Sequence, residues 1–173
     1  MAKKAWSNEE VAQLLENVAA AKIIKREDKF TIMAYQRAAS SVKHVDSEIK
    51  HIWNKGKLTD LPGIGKNIAS HLDELFRTGK VKHFEEIFKG LPQAMFELIK
   101  ISGIGPNIAY KLCLKLKIKN QSGAFKKLKN AIKQGKVREI EGFGVVICRI
   151  LLILQKELSR RGKRILFAYA TQA

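Results

Sequence analysis

One tight turn recurs along this chain. Leu61-Pro62-Gly63-Ile64-Gly65-Lys66-Asn67-Ile68-Ala69 is repeated as Ile101-Ser102-Gly103-Ile104-Gly105-Pro106-Asn107-Ile108-Ala109, and more loosely as Ile140-Glu141-Gly142-Phe143-Gly144-Val145-Val146-Ile147. The first glycines stand at 63, 103 and 142, intervals of 40 and then 39 residues. An internal repeat constrains architecture more than any other sequence signal. Two glycines around one apolar residue allow a sharp reversal that a β-carbon would block, so each copy reads as helix, turn, helix. Ile64 points back and pins the paired helices. The amides after the turn open the second helix, where they lack internal partners and the dipole end is positive. Such an end suits a phosphate oxygen. One copy alone has a plainer reading, a C-cap glycine in an ordinary bundle. Three copies in register, two followed by Asn-Ile-Ala, favour the anion-facing reading.

Charge points the same way. The 173 residues hold 33 Lys+Arg against 16 Asp+Glu, a formal +17. Residues 1–97 carry 16 basic and 13 acidic side chains, whereas 98–173 carry 17 and 3, and 98–138 contain no acid. A basic half of this size implies a polyanionic partner. No apolar run approaches the roughly 20 residues that span a bilayer, and no secretory signal follows Met1. No membrane partner is therefore expected, and the cytoplasm, with the nucleoid if bacterial, is the expected location. Cys113 and Cys148 read as reduced core side chains, with a disulfide as the alternative. The four histidines share no metal-ligand spacing with them.

The class is all-α. Ser7-Asn8-Glu9-Glu10 is a capping box opening a helix with Val11, Leu14, Leu15 and Val18 on one face. A second helix starts near Asp28 and runs through Tyr35 and Ala38 to Val42. A third starts near Asp46, burying Ile49, Ile52 and Trp53. A short helix around Leu58 enters the first turn. Asn67 to Thr78 and Val81 to Lys89 follow, and Pro92 opens a segment carrying Met95, Phe96 and Ile99 to the second turn. Lys115 to Lys119 is read as a continuation of the helix from Ala109, with a short strand as the alternative. Ser122 to Gln134 is expected to be amphipathic, with Phe125, Leu128 and Ile132 inward. Val145 to Leu158 is strongly apolar.

Ala34-Tyr35-Gln36-Arg37-Ala38-Ala39, then Leu61-Pro62-Gly63-Ile64-Gly65, then Ile101-Ser102-Gly103-Ile104-Gly105-Pro106 resemble the N-terminal region of family X (polymerase-beta-like) DNA polymerases in their bacterial PolX form. The likeness implies an N-terminal 8-kDa-like helical domain over 1–90 with the first helix-hairpin-helix. It implies a second and a degenerate third hairpin over 91–158, and a basic linker over 159–173 toward a palm domain absent from this chain. Polymerase chemistry needs clustered carboxylates for two metal ions. The last aspartate here is Asp73, and past residue 97 the acids are Glu139, Glu141 and Glu157, so no polymerisation is expected from the chain alone. Ser159-Arg160-Arg161-Gly162 is taken as linker.

The family's N-terminal domain grips the 5′ phosphate of gapped DNA, and some members remove a 5′ deoxyribose phosphate through a lysine Schiff base. The position of that lysine is His71 here, and imidazole forms no Schiff base. A neighbouring family lysine falls on Asn67, and the family's His and Lys ahead of its tyrosine fall on Phe30 and Thr31. Tyr35 is retained. Lys66 reads as a phosphate-contacting lysine, with a substitute amine as the alternative. No catalytic residue is assigned.

The expected activity is sequence-nonspecific binding of gapped, nicked or duplex DNA by a monomer, in repair. The expected contacts are Gly63, Ile64, Gly65, Lys66, Asn67, Gly103, Ile104, Gly105, Asn107, Lys111 and Lys115, with Tyr35, His71 and Arg149. No cofactor is required, but the resemblance implies a sodium or potassium ion at each hairpin. Its ligands would be the backbone carbonyls of Thr59, Leu61 and Ile64, and of Ile99, Ile101 and Ile104. The competing readings are a 5′-deoxyribose-phosphate lyase and a helical protein-interaction module. Bulkier residues at Gly63 and Gly103 are expected to weaken DNA affinity in a protein that still folds.

Overall fold

A computed structural model describes residues 6–137 and residue 140. Every regular element among them is helical, and the chain divides into two compact units, Met1–Leu91 and Pro92–Ala173. No helix among the described residues is long and apolar enough to cross a membrane. The third hairpin, Cys148, Arg149, the Val145–Leu158 segment and the tail lie outside the described residues.

In the first unit, α1 (Asn8–Ile24) starts at the expected capping box. The Ser7 Oγ accepts the Glu10 amide at 3.2 Å, and the Glu10 carboxylate accepts the Ser7 amide at 3.1 Å. Helix α2 (Lys29–His44) starts at Asp28, which accepts the Thr31 amide at 2.9 Å. Alanines on both helices, Ala12 and Ala19 on one and Ala38 and Ala39 on the other, are buried with Leu15, Val18 and Val42. Small side chains let the two helices pack closely along their length. Phe30, one residue into α2, is 82% exposed.

Asn8 ties two starts together: its side-chain amide donates to Ser47 O, and its Oδ1 accepts the Ile49 amide at 2.7 Å. That fixes α3 (Ile49–Asn54). Ile49 is buried as expected, but Ile52 and Trp53 are only half-buried. The Trp53 indole lies against Phe76 and donates to Asp73 at 2.8 Å, so its polar edge keeps it at the surface. A 3-10 turn at Leu58–Asp60 leads to the first hairpin. Helix α4 (Lys66–Thr78) buries Ile68, Leu72, Leu75 and Phe76 and stops at left-handed Gly79. Helix α5 (Lys82–Phe88) packs on α1, where Lys25 Nζ donates to Glu86 O.

The second unit contains α6 (Ala94–Leu98), α7 (Pro106–Lys115) and α8 (Ala124–Lys133). Its core includes Met95, Phe96, Leu98, Leu112, Ile118 and Leu128. Cys113 is buried there, and desolvation pushes its thiol up to about 11, leaving an unreactive side chain. Two expectations change. Helix α7 does not continue to Lys119: Lys117 turns left-handed at φ 52°, and the Ile118 amide reaches back to Cys113 O at 2.9 Å. This is a Schellman-type stop, which returns Ile118 to the core at 1% exposure. On α8 the buried stripe is Ala124, Leu128, Ala131 and Ile132, whereas Phe125 overhangs its edge and is 42% exposed.

Candidate nucleic-acid interface

The two hairpins are built alike to within a few degrees. Gly63 and Gly103 have φ of 80° and 87°, open to glycine and costly for other residues. The Ile64 amide donates to Leu61 O at 3.1 Å, and the Ile104 amide donates to Ile101 O at 3.0 Å. With Pro62 ahead of a positive-φ glycine, the first is a type II turn. Ile64 and Ile104 are each 3% exposed. Their side chains are the pins, so only their backbones can face a ligand.

Gly65 and Gly105 then take extended dihedrals, −81°/174° and −78°/170°, as the N-caps of α4 and α7. Neither helix has a side chain capping its start. The first bond within each helix runs from Ala69 to Gly65 O and from Ala109 to Gly105 O, both 2.9 Å. Amides ahead of those have no intrahelical partner. In α4 they belong to exposed Gly65, Lys66 and Asn67 and to buried Ile68; in α7 they belong to exposed Gly105 and Asn107 and to half-buried Ile108, because Pro106 has no amide to leave unpaired. Lys111 and Lys115 are exposed one turn apart on α7.

Gly63 does more than turn the chain. A Cβ there would lie 2.8 Å from Arg37 Cβ and 3.2 Å from the Ala38 nitrogen, so the turn rests directly on the backbone of α2. Ser41 of α2 also donates to Pro62 O. The expectation that a bulkier residue at Gly63 leaves the fold intact therefore fails on steric grounds. A Cβ at Gly65 or Gly105 would meet nothing within 4 Å, and both already have ordinary φ. Those are the positions where the interface can be altered without disturbing the core.

Tyr35 and His71 meet, but Tyr35 is not an exposed contact. It is 4% exposed, and its hydroxyl lies 2.9 Å from His71 Nδ1. Burial, reinforced by Glu27, pushes the phenol up to about 12, so it keeps its proton at neutral pH. Two neighbours carried no sequence signal. His83 stacks on His71, with ring centroids 4.9 Å apart and planes 16° apart. Lys22 is 3% exposed, pairs with Glu27 at 2.6 Å and lies 5.4 Å from the Tyr35 ring centre. The carbonyls of Leu61 and Ile101 each accept one turn amide. A carbonyl oxygen has two lone pairs, so both retain one for a cation.

A repeated glycine hairpin opening onto an uncapped helix is the signature of one domain type, and residues 6–81 match the helix-hairpin-helix domain. The first unit carries a helix-hairpin-helix domain. The chain containing it is 27% identical over 161 residues to the DNA polymerase/3′-5′ exonuclease PolX of Bacillus subtilis (strain 168). That alignment covers 93% of this chain and 27% of that protein, so the chain spans about a quarter of its relative's length. The second hairpin lies past the matched domain but within a chain similar to PolX over nearly its whole length.

Proposed function

We propose that this chain binds DNA without sequence preference, through backbone phosphates, as a DNA-binding part of a family X polymerase system, with gapped or nicked duplex as the preferred form. The observation that carries this reading is the pair of superposable, uncapped helix starts at Gly65 and Gly105, the second followed by a lysine-bearing helix in an acid-free stretch. Amides and lysines at phosphates fix position and carry no base information. The helix-hairpin-helix match and the likeness to a DNA polymerase support the same partner. A sodium or potassium ion held by the carbonyls of Thr59, Leu61 and Ile64, and of Ile99, Ile101 and Ile104, would add positive charge toward the phosphate.

Nothing among the described residues favours the lyase reading. Lys22, the buried lysine beside Tyr35, is held by Glu27 in an ion pair rather than left as a free amine. The deciding experiment is the affinity for gapped duplex, with and without a 5′ phosphate, at two salt concentrations. Binding that weakens steeply with salt and is tighter on gapped than on intact duplex supports the proposal. Salt-independent affinity, or none, contradicts it.

A further inference from the structure

A cavity of about 570 Å³ opens in the second unit where α7 and α8 end. Helix α7 has 10 residues, so its hairpin start lies about 15 Å from this end at 1.5 Å per residue. Both helices stop here by the same reversal. After α7, left-handed Lys117 sends the Ile118 amide back to Cys113 O; after α8, Gly135 at φ 75° sends the Lys136 amide back to Ala131 O at 3.1 Å. These turns occupy carbonyls that would otherwise face the opening and repel an anion.

The walls sort into three kinds of surface. The floor is apolar: Ile118 and Ala131 are buried, and Leu116 and Ile140 are half-buried. Two exposed carboxamides, Asn130 and Gln134, stand one turn apart along one side. Around them are four exposed lysines, Lys115, Lys117, Lys127 and Lys136. Among the described residues, none of these six polar side chains is engaged in a hydrogen bond or ion pair. Two helix C-termini bring about half a negative charge each, so four ammoniums leave roughly +3. Arg138, Glu139 and Glu141, the charged sequence neighbours of Ile140, change that by one net charge only. The cavity therefore draws an anion, but lysines alone account for neither the apolar floor nor the paired amides.

We propose that this cavity holds one unpaired nucleotide of a DNA strand, its base on the apolar floor, its edge at Asn130 and Gln134, and its phosphates on the lysine rim. A base taken out of the stack is held between apolar side chains and read along its edge by hydrogen bonds. Each carboxamide carries both donors and an acceptor and can flip, so the pair serves any base. The volume suits a small ligand rather than a duplex. An acidic peptide would use the lysines and leave the carboxamides idle. This rests on the DNA-binding reading above and adds to it a contact with unpaired bases, at the far end of α7 from the hairpin amides.

The test is fluorescence anisotropy of the full chain at fixed salt on three DNAs: a blunt duplex, the same duplex with a short unpaired extension, and that extension built of abasic sugar–phosphates. Wild type should bind the base-bearing extension roughly tenfold more tightly than the abasic one, the worth of one buried base. Asn130→Ala/Gln134→Ala, at exposed positions that alanine suits, should remove most of that difference while leaving blunt-duplex affinity within about twofold. Equal binding of the two extensions, with salt-sensitive duplex binding intact, overturns the nucleotide pocket and leaves the hairpin reading standing. An unchanged difference in the double variant overturns it equally. Unlabelled dTMP that cancels the difference as well as an oligonucleotide does would assign the cavity to a free nucleotide, and a glutamate-rich peptide that does so better would assign it to a protein; either overturns the strand assignment. No binding to any of the three DNAs overturns both readings.

Discussion

The two hairpins share their backbone and differ in everything around it. In the first unit the turn is clamped on α2 through Gly63, and Tyr35 of α2 meets a pair of stacked histidines, His71 and His83. That unit is nearly balanced in charge and contains all four histidines. In the second unit the corresponding helix begins with Pro106, carries Lys111 and Lys115, and belongs to a stretch without acids. Backbone geometry decides what kind of group is bound, an anion at a helix start. The surroundings decide how strongly, and under what conditions. On this account the second unit supplies charge and the first supplies a turn held rigidly on α2.

The largest expected effect separates the units by salt. Lys111→Glu/Lys115→Glu should weaken duplex binding by roughly a hundredfold at low salt and reduce the log–log salt slope by about 2, as two phosphates cease to be neutralised. Lys66→Glu in the first unit should cost roughly tenfold and reduce the slope by about 1. Equal losses from both would erase the distinction.

A stability comparison within the first unit comes next. Gly63→Ala forces a β-carbon against α2 and a strained φ, and should lower unfolding free energy by about 2–4 kcal/mol. Gly65→Ala, two residues on, should cost no more than about 1 kcal/mol. Both tryptophans, Trp6 and Trp53, lie in this unit, so indole fluorescence in urea reads it alone. Comparable destabilisation by the two substitutions would mean that Gly63 is not wedged as described.

A smaller effect should follow pH. His71 is depressed in the folded state, chiefly by burial, so the unfolded chain binds its proton first as pH falls. The contribution of neutral His71 is therefore fully present above about 6.5. It is lost as pH drops from there toward the lowered folded value. The urea midpoint of the first unit should fall between pH 7.5 and 5.5, and His71→Asn should remove that part of the fall. The second unit, which has no histidine, should show none. Smallest is Tyr35→Phe, which removes one half-buried hydrogen bond and should cost about 1 kcal/mol.

Much of this was legible in the sequence because particular residues are required locally. A capping box, a Pro-Gly turn and a glycine stop each demand named side chains, so α1, both hairpins and the end of α4 could be placed. The end of α7 could not, because Lys117 occupies a left-handed position that glycine normally fills. Phe125 misled because a seven-residue spacing to Ile132 ignores how the first turn overhangs its neighbours. The wedge at Gly63 and the His71–His83 stack are tertiary. They join α2 to the turn and α4 to α5, and no spacing along the chain announces either.

The central claim is that exposed amides at two uncapped helix starts hold the sugar–phosphate backbone. Gly65→Ala/Gly105→Ala places a methyl at each start, in open space, on backbone that alanine adopts freely. The account predicts a loss of duplex affinity of at least roughly thirtyfold, about 1 kcal/mol or one ordinary hydrogen bond per hairpin, with the unfolding midpoint nearly unchanged. Wild-type affinity in that folded double variant would contradict it.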